Sequence, residues 1–216
     1  MKPLPLVLGV VLAGAACMPR LKPLSGTPVP TSRLPRSTLP VGRHKLVFDW
    51  ELGDRDLNGK GEGVARIAAP DSARLDFFLA GGMGGGAAIL LGDSIVFPAK
   101  VVGGDMVKRI VPPPPLLWAA LGRVALPNLP DTVIRIEGTT LRADVGHPVA
   151  WRLTFQGDTL ARAERVDNGR VAEWIERADS QHIRYRNEGS RRSLKLTITR
   201  IEEAPPYDAS IWRFDP

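Results

Sequence analysis

Apolar and polar residues alternate with a period of two along most of this chain, and turn residues interrupt the alternation at short intervals. Segments 74–79, 151–155 and 194–201 follow this pattern, and Asp167-Asn168-Gly169 is one of the turns between such segments. Because successive side chains of a strand point to opposite faces, each segment predicts a strand with one buried face. Seven or more such strands predict a large antiparallel sheet that is curved or closes on itself.

One apolar segment does not alternate and predicts a helix. Residues 116–126 follow the four prolines of Pro112–Pro115 and precede Pro127. Proline is compatible with the first turn of a helix and prevents its continuation at the other end. Arg123 is the only charged residue in the segment. A helix that is apolar on nearly all sides lies in a core or covers a cavity as a lid, and the sequence leaves both alternatives open.

The N-terminus has the layout of an export signal. Lys2 precedes an apolar run, Leu4–Ala16, of about 13 residues, which is too short for a transmembrane helix. Cys17, the only cysteine, follows the small residues at 14–16. This arrangement resembles bacterial lipoprotein signals, in which that cysteine is lipidated. We therefore expect a signal peptide over 1–16 and a lipid anchor at Cys17, with an ordinary secretory signal as the alternative.

The segment after Cys17 predicts a tether. Residues 17–42 are rich in proline, serine and threonine and show no apolar period, so they predict a semi-extended linker between membrane and domain. Residues 43–216 predict one domain, in which no further apolar run is long enough to span a bilayer. With Cys17 used by the anchor, no disulfide is expected within the chain.

The positive net charge of the chain indicates which classes of binding partner to expect. The formal net charge is +6 and comes from scattered arginines, most of them in the C-terminal half. Such a charge favours anionic lipid headgroups or acidic surfaces. Nucleic-acid binding is the other interpretation of a basic chain, but the export signal argues against a nucleic-acid partner.

Motifs for catalysis are not found in the sequence. The glycine-rich run 81–86 lacks the lysine and hydroxyl of a phosphate-binding loop and predicts a hairpin tip, with Met83 as a residue that could dip into lipid. His44, His147 and His182 show no ligand spacing, and there is no G-x-S-x-G nucleophile motif. We therefore expect no metal, no cofactor and no enzymatic activity.

Three short motifs follow one another in the body of the chain. They are a strand around Phe48-Asp49-Trp50, the pattern "G-x-G-x-x-x-I…P-D-x-x-R-L-D" in residues 61–76, and a closing stretch, 207–214, with an acidic residue and a late phenylalanine. Their order resembles the lipoprotein-localisation superfamily of LolA/LolB-like carriers and receptors, in which the closing stretch is the final strand. The receptor form carries a loop tipped by a bulky apolar residue, whereas this chain has only Met83 in its glycine-rich hairpin.

The resemblance implies a mainly β fold with a few helices (α+β). A large curved antiparallel sheet would form an open half barrel, with a helical lid that includes residues 116–126, around an apolar cavity for lipid acyl chains. An inward-pointing Arg135 or Arg152 would favour a site for a polar headgroup. The side chains expected to line the cavity are Phe48, Trp50, Leu75, Phe77, Leu79, Ile89, Leu91, Trp118, Leu121, Trp151, Leu153 and Phe155.

Two functional hypotheses follow. The first is an envelope lipoprotein that binds acyl chains or lipidated proteins and acts in their transport or reception. The second is a structural lipoprotein of an envelope complex, with a packed core and no ligand. Met18 is not the aspartate that resembles an inner-membrane retention signal, so we expect an outer-membrane anchor with the domain in the periplasm.

Overall fold

The computed structural model describes residues 18–35, 39–81, 84–98, 104–126 and 131–214, with the backbone alone for 104–106. Within these ranges the chain is mainly β, with two α-helices and two short 3-10 helices. The strands are β1 (Thr27–Val29), β2 (Arg43–Gly53), β3 (Asn58–Ala68), β4 (Ser72–Leu79), β5 (Gly85–Leu91), β6 (Ser94–Val96), β7 (Thr132–Glu137), β8 (Thr140–Val145), β9 (Trp151–Gln156), β10 (Thr159–Asp167), β11 (Arg170–Arg177), β12 (His182–Asn187) and β13 (Arg192–Glu203). The helices are α1 (Gly104–Ile110), α2 (Pro114–Ala120) and the 3-10 helices Thr31–Arg33 and Ala209–Trp212.

The described strands form one antiparallel sheet of 13 strands, in the order β1-β7-β8-β9-β10-β11-β12-β13-β2-β3-β4-β5-β6. Two runs of consecutive hairpins, β7 to β13 and β2 to β6, are joined where β13 pairs with β2 and Leu196 lies opposite Trp50. The sheet is curved and its edge strands, β1 and β6, do not pair with each other. The predicted open half barrel is therefore confirmed.

Alternation along the strands separates a concave face from an outer face. The concave face carries the apolar positions, such as Trp151, Leu153 and Phe155 of β9, which join one large core cluster. The outer face carries ion pairs between neighbouring strands. Arg152 of β9 donates to both carboxylate oxygens of Asp144 on β8, at 2.6 and 2.7 Å.

The two helices lie over the concave face. α1 packs against β5, and α2 packs against β10 and β11. α2 is shorter than the helix predicted over 116–126, because Gly122 adopts a φ of 92° directly after Leu121. A left-handed glycine at this position ends a helix, and the amide of Arg123 accordingly donates back to the Trp118 carbonyl at 2.9 Å.

The segment expected to be a free tether contacts the sheet. Residues 18–29, called here the N-terminal strap, run from the start of β11 across the outer face to β7. The amide of Leu21 donates to the Gly169 carbonyl at 2.9 Å, and that of Val171 donates to the Pro19 carbonyl at 2.8 Å. Cys17 and the signal segment 1–16 lie outside the described residues.

The closing stretch 207–214 forms no strand, unlike the final strand of the family that it resembles. It contains the 3-10 helix Ala209–Trp212, which begins after Asp208, whose carboxylate accepts a hydrogen bond from the Ser210 amide at 2.8 Å. Among the described residues, no helix has the length and apolar content needed to cross a membrane.

Candidate functional site

The concave trough of the half barrel is occupied by α2. Leu116, Leu117 and Trp118 are at most 2% exposed and belong to the same core cluster as the sheet residues beneath them. Such a helix, with its apolar residues buried around the axis, completes the core in place of a second sheet. Access to the concave face therefore depends on where α2 lies.

A row of glycines on β3 makes room for the aromatic side chains of the trough. Gly61 and Gly63 lie opposite Trp50 and Phe48 of β2, and a Cβ atom added at Gly63 would meet the Phe48 ring at 2.3 Å. Phe77 of β4 packs edge-on against both rings, with centroid distances of 5.6 and 6.2 Å. The spaced glycines in this part of the chain thus serve close packing of large rings.

Polar contacts between described residues connect the helices to the sheet. The indole nitrogen of Trp118 donates to the Gly92 carbonyl at 2.7 Å, in the turn between β5 and β6. Nη1 of Arg177, at the end of β11, donates to the Ala120 carbonyl, the last residue of α2. Nη1 of Arg192 donates in the same way to a carbonyl at the end of α1. Cations at helix C-termini stabilise the helix dipole and satisfy free carbonyl groups.

A small opening remains beside the C-terminal end of α2, and we call it the lid cleft. Its volume is about 220 Å³. The wall is mostly apolar, and Arg177 and His44 are its ionisable groups. The lid cleft is lined by Pro40, His44, Leu46, Ile67, Ala120, Leu121, Arg177, Ser180, Ile198 and Ile201.

The electrostatics of the lid cleft are set by Arg177. Burial lowers the pKa of its guanidinium group from the ordinary value, although arginine keeps its charge in proteins. Its charge lies at the carbonyl end of α2, where the dipole is negative. The lid cleft therefore combines an apolar wall with one cation at its edge.

The opposite end of the trough contains a buried polar cluster. Oε1 of Glu173 accepts from Arg165 at 2.7 Å, and Oε2 accepts from the Tyr185 hydroxyl at 3.2 Å. Burial, and then the neighbouring Glu173 carboxylate, raise the pKa of Tyr185 to about 12, so the hydroxyl stays protonated and donates at neutral pH. Both carboxylate oxygens of Glu173 and the Tyr185 hydroxyl therefore have partners within the cluster. The mostly apolar opening, the lid cleft, is at the other end of the trough.

Most of the predicted lining residues lie on the concave face of the sheet or, like Trp118, on α2 above it. Leu121 lines the lid cleft, and Leu79 lines a separate opening between β2, β3 and β4. Whether these residues contact a ligand stays a prediction. The eight residues that belong to the core cluster are Phe48, Trp50, Leu75, Phe77, Trp118, Trp151, Leu153 and Phe155.

Two predicted lining residues lie on the other face. Leu75 and Ala73 of β4 pair with Ala88 and Leu90 of β5 on the concave side, so Ile89 and Leu91 point outward. Leu91 is 37% exposed, and Ile89 is buried outside the core cluster. The β5 run is apolar on both faces, so it offered no polar residue from which the concave side could be identified.

The two arginines that could have marked an inward headgroup site lie on the outer face. Arg152 pairs with Asp144 and donates to the Lys22 carbonyl of the N-terminal strap at 2.7 Å. Arg135 donates to the Gly26 carbonyl at 2.8 Å. Both side chains fix the strap to the sheet.

Sequence reasoning missed several residues of the lid cleft. Leu46, Ile67 and Ile198 alternate on β2, β3 and β13, and this signal could have placed them on the concave face. Nothing local in the sequence shows that Arg177 reaches α2, 57 positions away. The described residues contain no group of three histidine, cysteine or acidic side chains that could hold a metal ion.

Comparisons with known proteins identify the fold. A LolA superfamily protein from Nitrosomonas europaea aligns with a TM-score of 0.52 and 11% identity, over 83% of this chain and 94% of that chain. A DUF1329 family protein from Desulfovibrio piger aligns with a TM-score of 0.50 and 8% identity, over 80% and 90% of the two chains. The fold is therefore LolA/LolB-like.

A third solved structure is more distant. A putative outer membrane lipoprotein-sorting protein domain from Vibrio parahaemolyticus aligns with a TM-score of 0.48 and 8% identity, over 79% of this chain and 89% of that chain. No protein-family model matches the chain, and no curated protein matches its sequence.

Proposed function

We propose that this protein is an envelope lipoprotein that binds lipid acyl chains, or the acyl chains of lipidated proteins, in its concave trough, and that α2 is the lid of that trough. The observation that carries the proposal is the position of α2, an uncharged helix that fills the concave face of an open half barrel. The LolA/LolB-like fold supports a binding or transport role. The proposal includes no catalytic step.

The size of the lid cleft supports a movement of the lid. At about 220 Å³, the cleft is smaller than the roughly 300–1,000 Å³ of typical ligand pockets. A whole acyl chain therefore needs the space that Leu116, Leu117 and Trp118 occupy. The lid cleft gives the acyl chain a place to enter beside the C-terminal end of α2.

The free energies of exposing the α2 side chains and of burying an acyl chain in their place are compatible with movement of the lid. Exposing Leu116, Leu117 and Trp118 costs about 2 kcal/mol each, or roughly 6 kcal/mol together. An acyl chain that buries about ten methylenes gains roughly 8 kcal/mol. Burial of the acyl chain offsets the loss of the contacts made by α2. The remaining cost is the breakage of the hydrogen bonds donated by Arg177 and Trp118. A carrier needs this near balance in order to release its ligand.

The N-terminal strap affects the position of the domain at the membrane. Arg170 donates to the Met18 carbonyl at 3.3 Å, so the chain is bound to the β10–β11 hairpin one residue after Cys17. A lipid anchor at Cys17 would then hold this end of the sheet close to the bilayer. The lid cleft, at the opposite end of the strands, would face away from the anchoring membrane.

A lipid-binding experiment tests the proposal. The full chain, purified from membranes in a mild detergent, should carry extractable lipid and bind a fluorescent fatty acid at one saturable site. Leu121→Asn should weaken this binding roughly tenfold, because it places an amide in the apolar entrance. The matched control is Leu91→Asn on the outer face, which should bind like the wild type.

A scaffold with a permanently packed core is the competing function, because a trough filled by α2 is also what a core without a ligand would contain. That function is supported if membrane-purified protein carries no lipid and fatty acid does not bind to a saturable site. Equal binding by the Leu121→Asn and Leu91→Asn variants would also contradict the proposed entrance.

A further inference from the structure

A larger cavity than the lid cleft lies on the outer face of the sheet, away from the trough. It has a volume of about 550 Å³ and lies between β3, β4 and the closing stretch 207–214. We call it the outer groove. It is lined by Arg66, Arg74, Asp76, Phe78, Ser210, Ile211, Arg213 and Phe214.

Specific contacts hold one wall of the outer groove in place. The Tyr207 hydroxyl donates to the His44 carbonyl at 2.8 Å, which fixes the start of the closing stretch on β2. Nη1 of Arg74 donates to the Ile211 carbonyl at 3.1 Å, and the Phe214 ring lies 5.3 Å from the same guanidinium group. The groove is thus formed between a sheet and a segment that packs on it.

The lining carries an excess of positive charge. Arg66, Arg74 and Arg213 provide three cations, whereas Asp76 provides the only carboxylate among the lining residues. Asp76 is shared, since one of its oxygens accepts from Arg66 and the other accepts from Arg74 at 3.0 Å. Asp208, near Arg213, accepts from the Ser210 amide and is not part of the lining.

Among the described residues, several N–H donors of these guanidinium groups have no partner. The contacts with Asp76 and Ile211 engage Nη1 of Arg66, and Nε and Nη1 of Arg74. A guanidinium group has five N–H donors in a planar fork that matches the oxygens of a phosphate or carboxylate. Three cations against one carboxylate in the lining, together with guanidinium donors that have no partner among the described residues, therefore favour an anion in this concavity.

Apolar groups border the same concavity. Phe78 is 51% exposed on the outer face of β4, and Ile211 and Phe214 line the opposite wall. Exposed aromatic rings beside cations fit a ligand that has an anionic head and an apolar part. We propose that the outer groove binds the phosphate group of an anionic phospholipid, with the start of the acyl region against Phe78. This site is separate from the trough and does not depend on the lid.

Calorimetric titration of the full chain in nonionic detergent tests this site. The probes are short-chain phosphatidylglycerol, short-chain phosphatidylcholine and inorganic phosphate. Phosphatidylglycerol should bind, and Arg213→Gln and Arg66→Gln should each weaken its binding roughly fivefold, because each removes one cation. The control Arg184→Gln removes the same charge from an exposed position on β12 and should leave the affinity unchanged. Raising the salt concentration should weaken binding in the wild type.

Each outcome separates the groove from the trough. The Leu121→Asn variant should keep its affinity for phosphatidylglycerol, since that residue lines the lid cleft and not the groove. Equal affinities of Arg213→Gln, Arg66→Gln and Arg184→Gln would overturn the site. Inorganic phosphate or phosphatidylcholine binding as tightly as phosphatidylglycerol would overturn the assignment to an anionic lipid. Thermal unfolding of each variant verifies that the comparison is between folded proteins.

Discussion

At the scale of single residues, the glycines of β3 determine how closely the aromatic rings of β2 approach the sheet. Gly63 lies under the ring of Phe48, and Gly59 lies under the edge of Trp50. The two positions share a face of one strand, but they differ in the space above them. A Cβ atom would lie 2.3 Å from the Phe48 ring at Gly63 and 3.4 Å from the Trp50 ring at Gly59.

This difference predicts that alanine is tolerated at position 59 and destabilises the protein at position 63. Gly63→Ala should lower the free energy of unfolding by about 1–3 kcal/mol, because the ring of Phe48 must move within a packed core. Gly59→Ala should be close to neutral, because its methyl group makes an ordinary contact. Urea denaturation of both variants measures the difference. Equal stability of the two would show that the Phe48 ring is not confined by the strand.

At the scale of elements, α2 owes its position to packing and to a few polar contacts. Seven residues are too few for a helix that is stable alone. Its helical state therefore depends on burial in the trough and on Arg177, which binds the final carbonyl group. Release of that carbonyl is the simplest first step of lid opening.

Removal of the Arg177 contact should loosen the lid. Arg177→Gln should lower stability by about 1.5–3 kcal/mol, the contribution of a hydrogen bond from a charged group. It should also speed hydrogen exchange at the amides of Leu121 and Arg123, which donate to α2 carbonyl groups. The control Arg200→Gln, at an exposed position on β13, should leave both unchanged. Amide exchange at residues 116–123 that is identical in the two variants would contradict a latch at Arg177.

At the scale of the whole molecule, the N-terminal strap joins the outer face of one half of the sheet to its β7 edge. β1 pairs with β7, so it covers the backbone groups of a strand that would otherwise be an open edge. The Lys22 carbonyl of the strap also accepts a hydrogen bond from Arg152, which is paired with Asp144. The composition of residues 18–29 predicts a loose linker, but in the structure this segment packs on the sheet as part of the domain.

Replacement of residues 18–30 by a glycine–serine linker of equal length should expose the amide of Val171. This amide donates to the Pro19 carbonyl at 2.8 Å, so its hydrogen exchange should become faster in the variant. The amide of Val166 on β10 donates to the Ala150 carbonyl at 2.8 Å and should keep its protection. Fast exchange of Val171 already in the wild type would show that the strap is free in solution.

Much of the fold was accessible from local patterns. The alternation in β4 and β9 identified Leu75, Phe77, Leu153 and Phe155 as concave residues, because polar neighbours marked the other face. Ile89 and Leu91 of β5, also expected to line the cavity, point outward, and no polar neighbour in β5 marks which of its two apolar faces is concave. α1 was not predicted, because its helical state depends on packing against β5.

The sequence by itself determined most strands and turns of the sheet, the start of α2 among its prolines and the left-handed turn at Gly122 that follows α2, because these depend on φ/ψ preferences and neighbouring side chains. Only the tertiary structure decided that α2 fills the trough, that Arg177 holds it, and that the strap and closing stretch pack on the outer face. Those outcomes depend on contacts between residues far apart in the chain. Arg177 and Ala120, or Arg74 and Ile211, meet only after the sheet has curved.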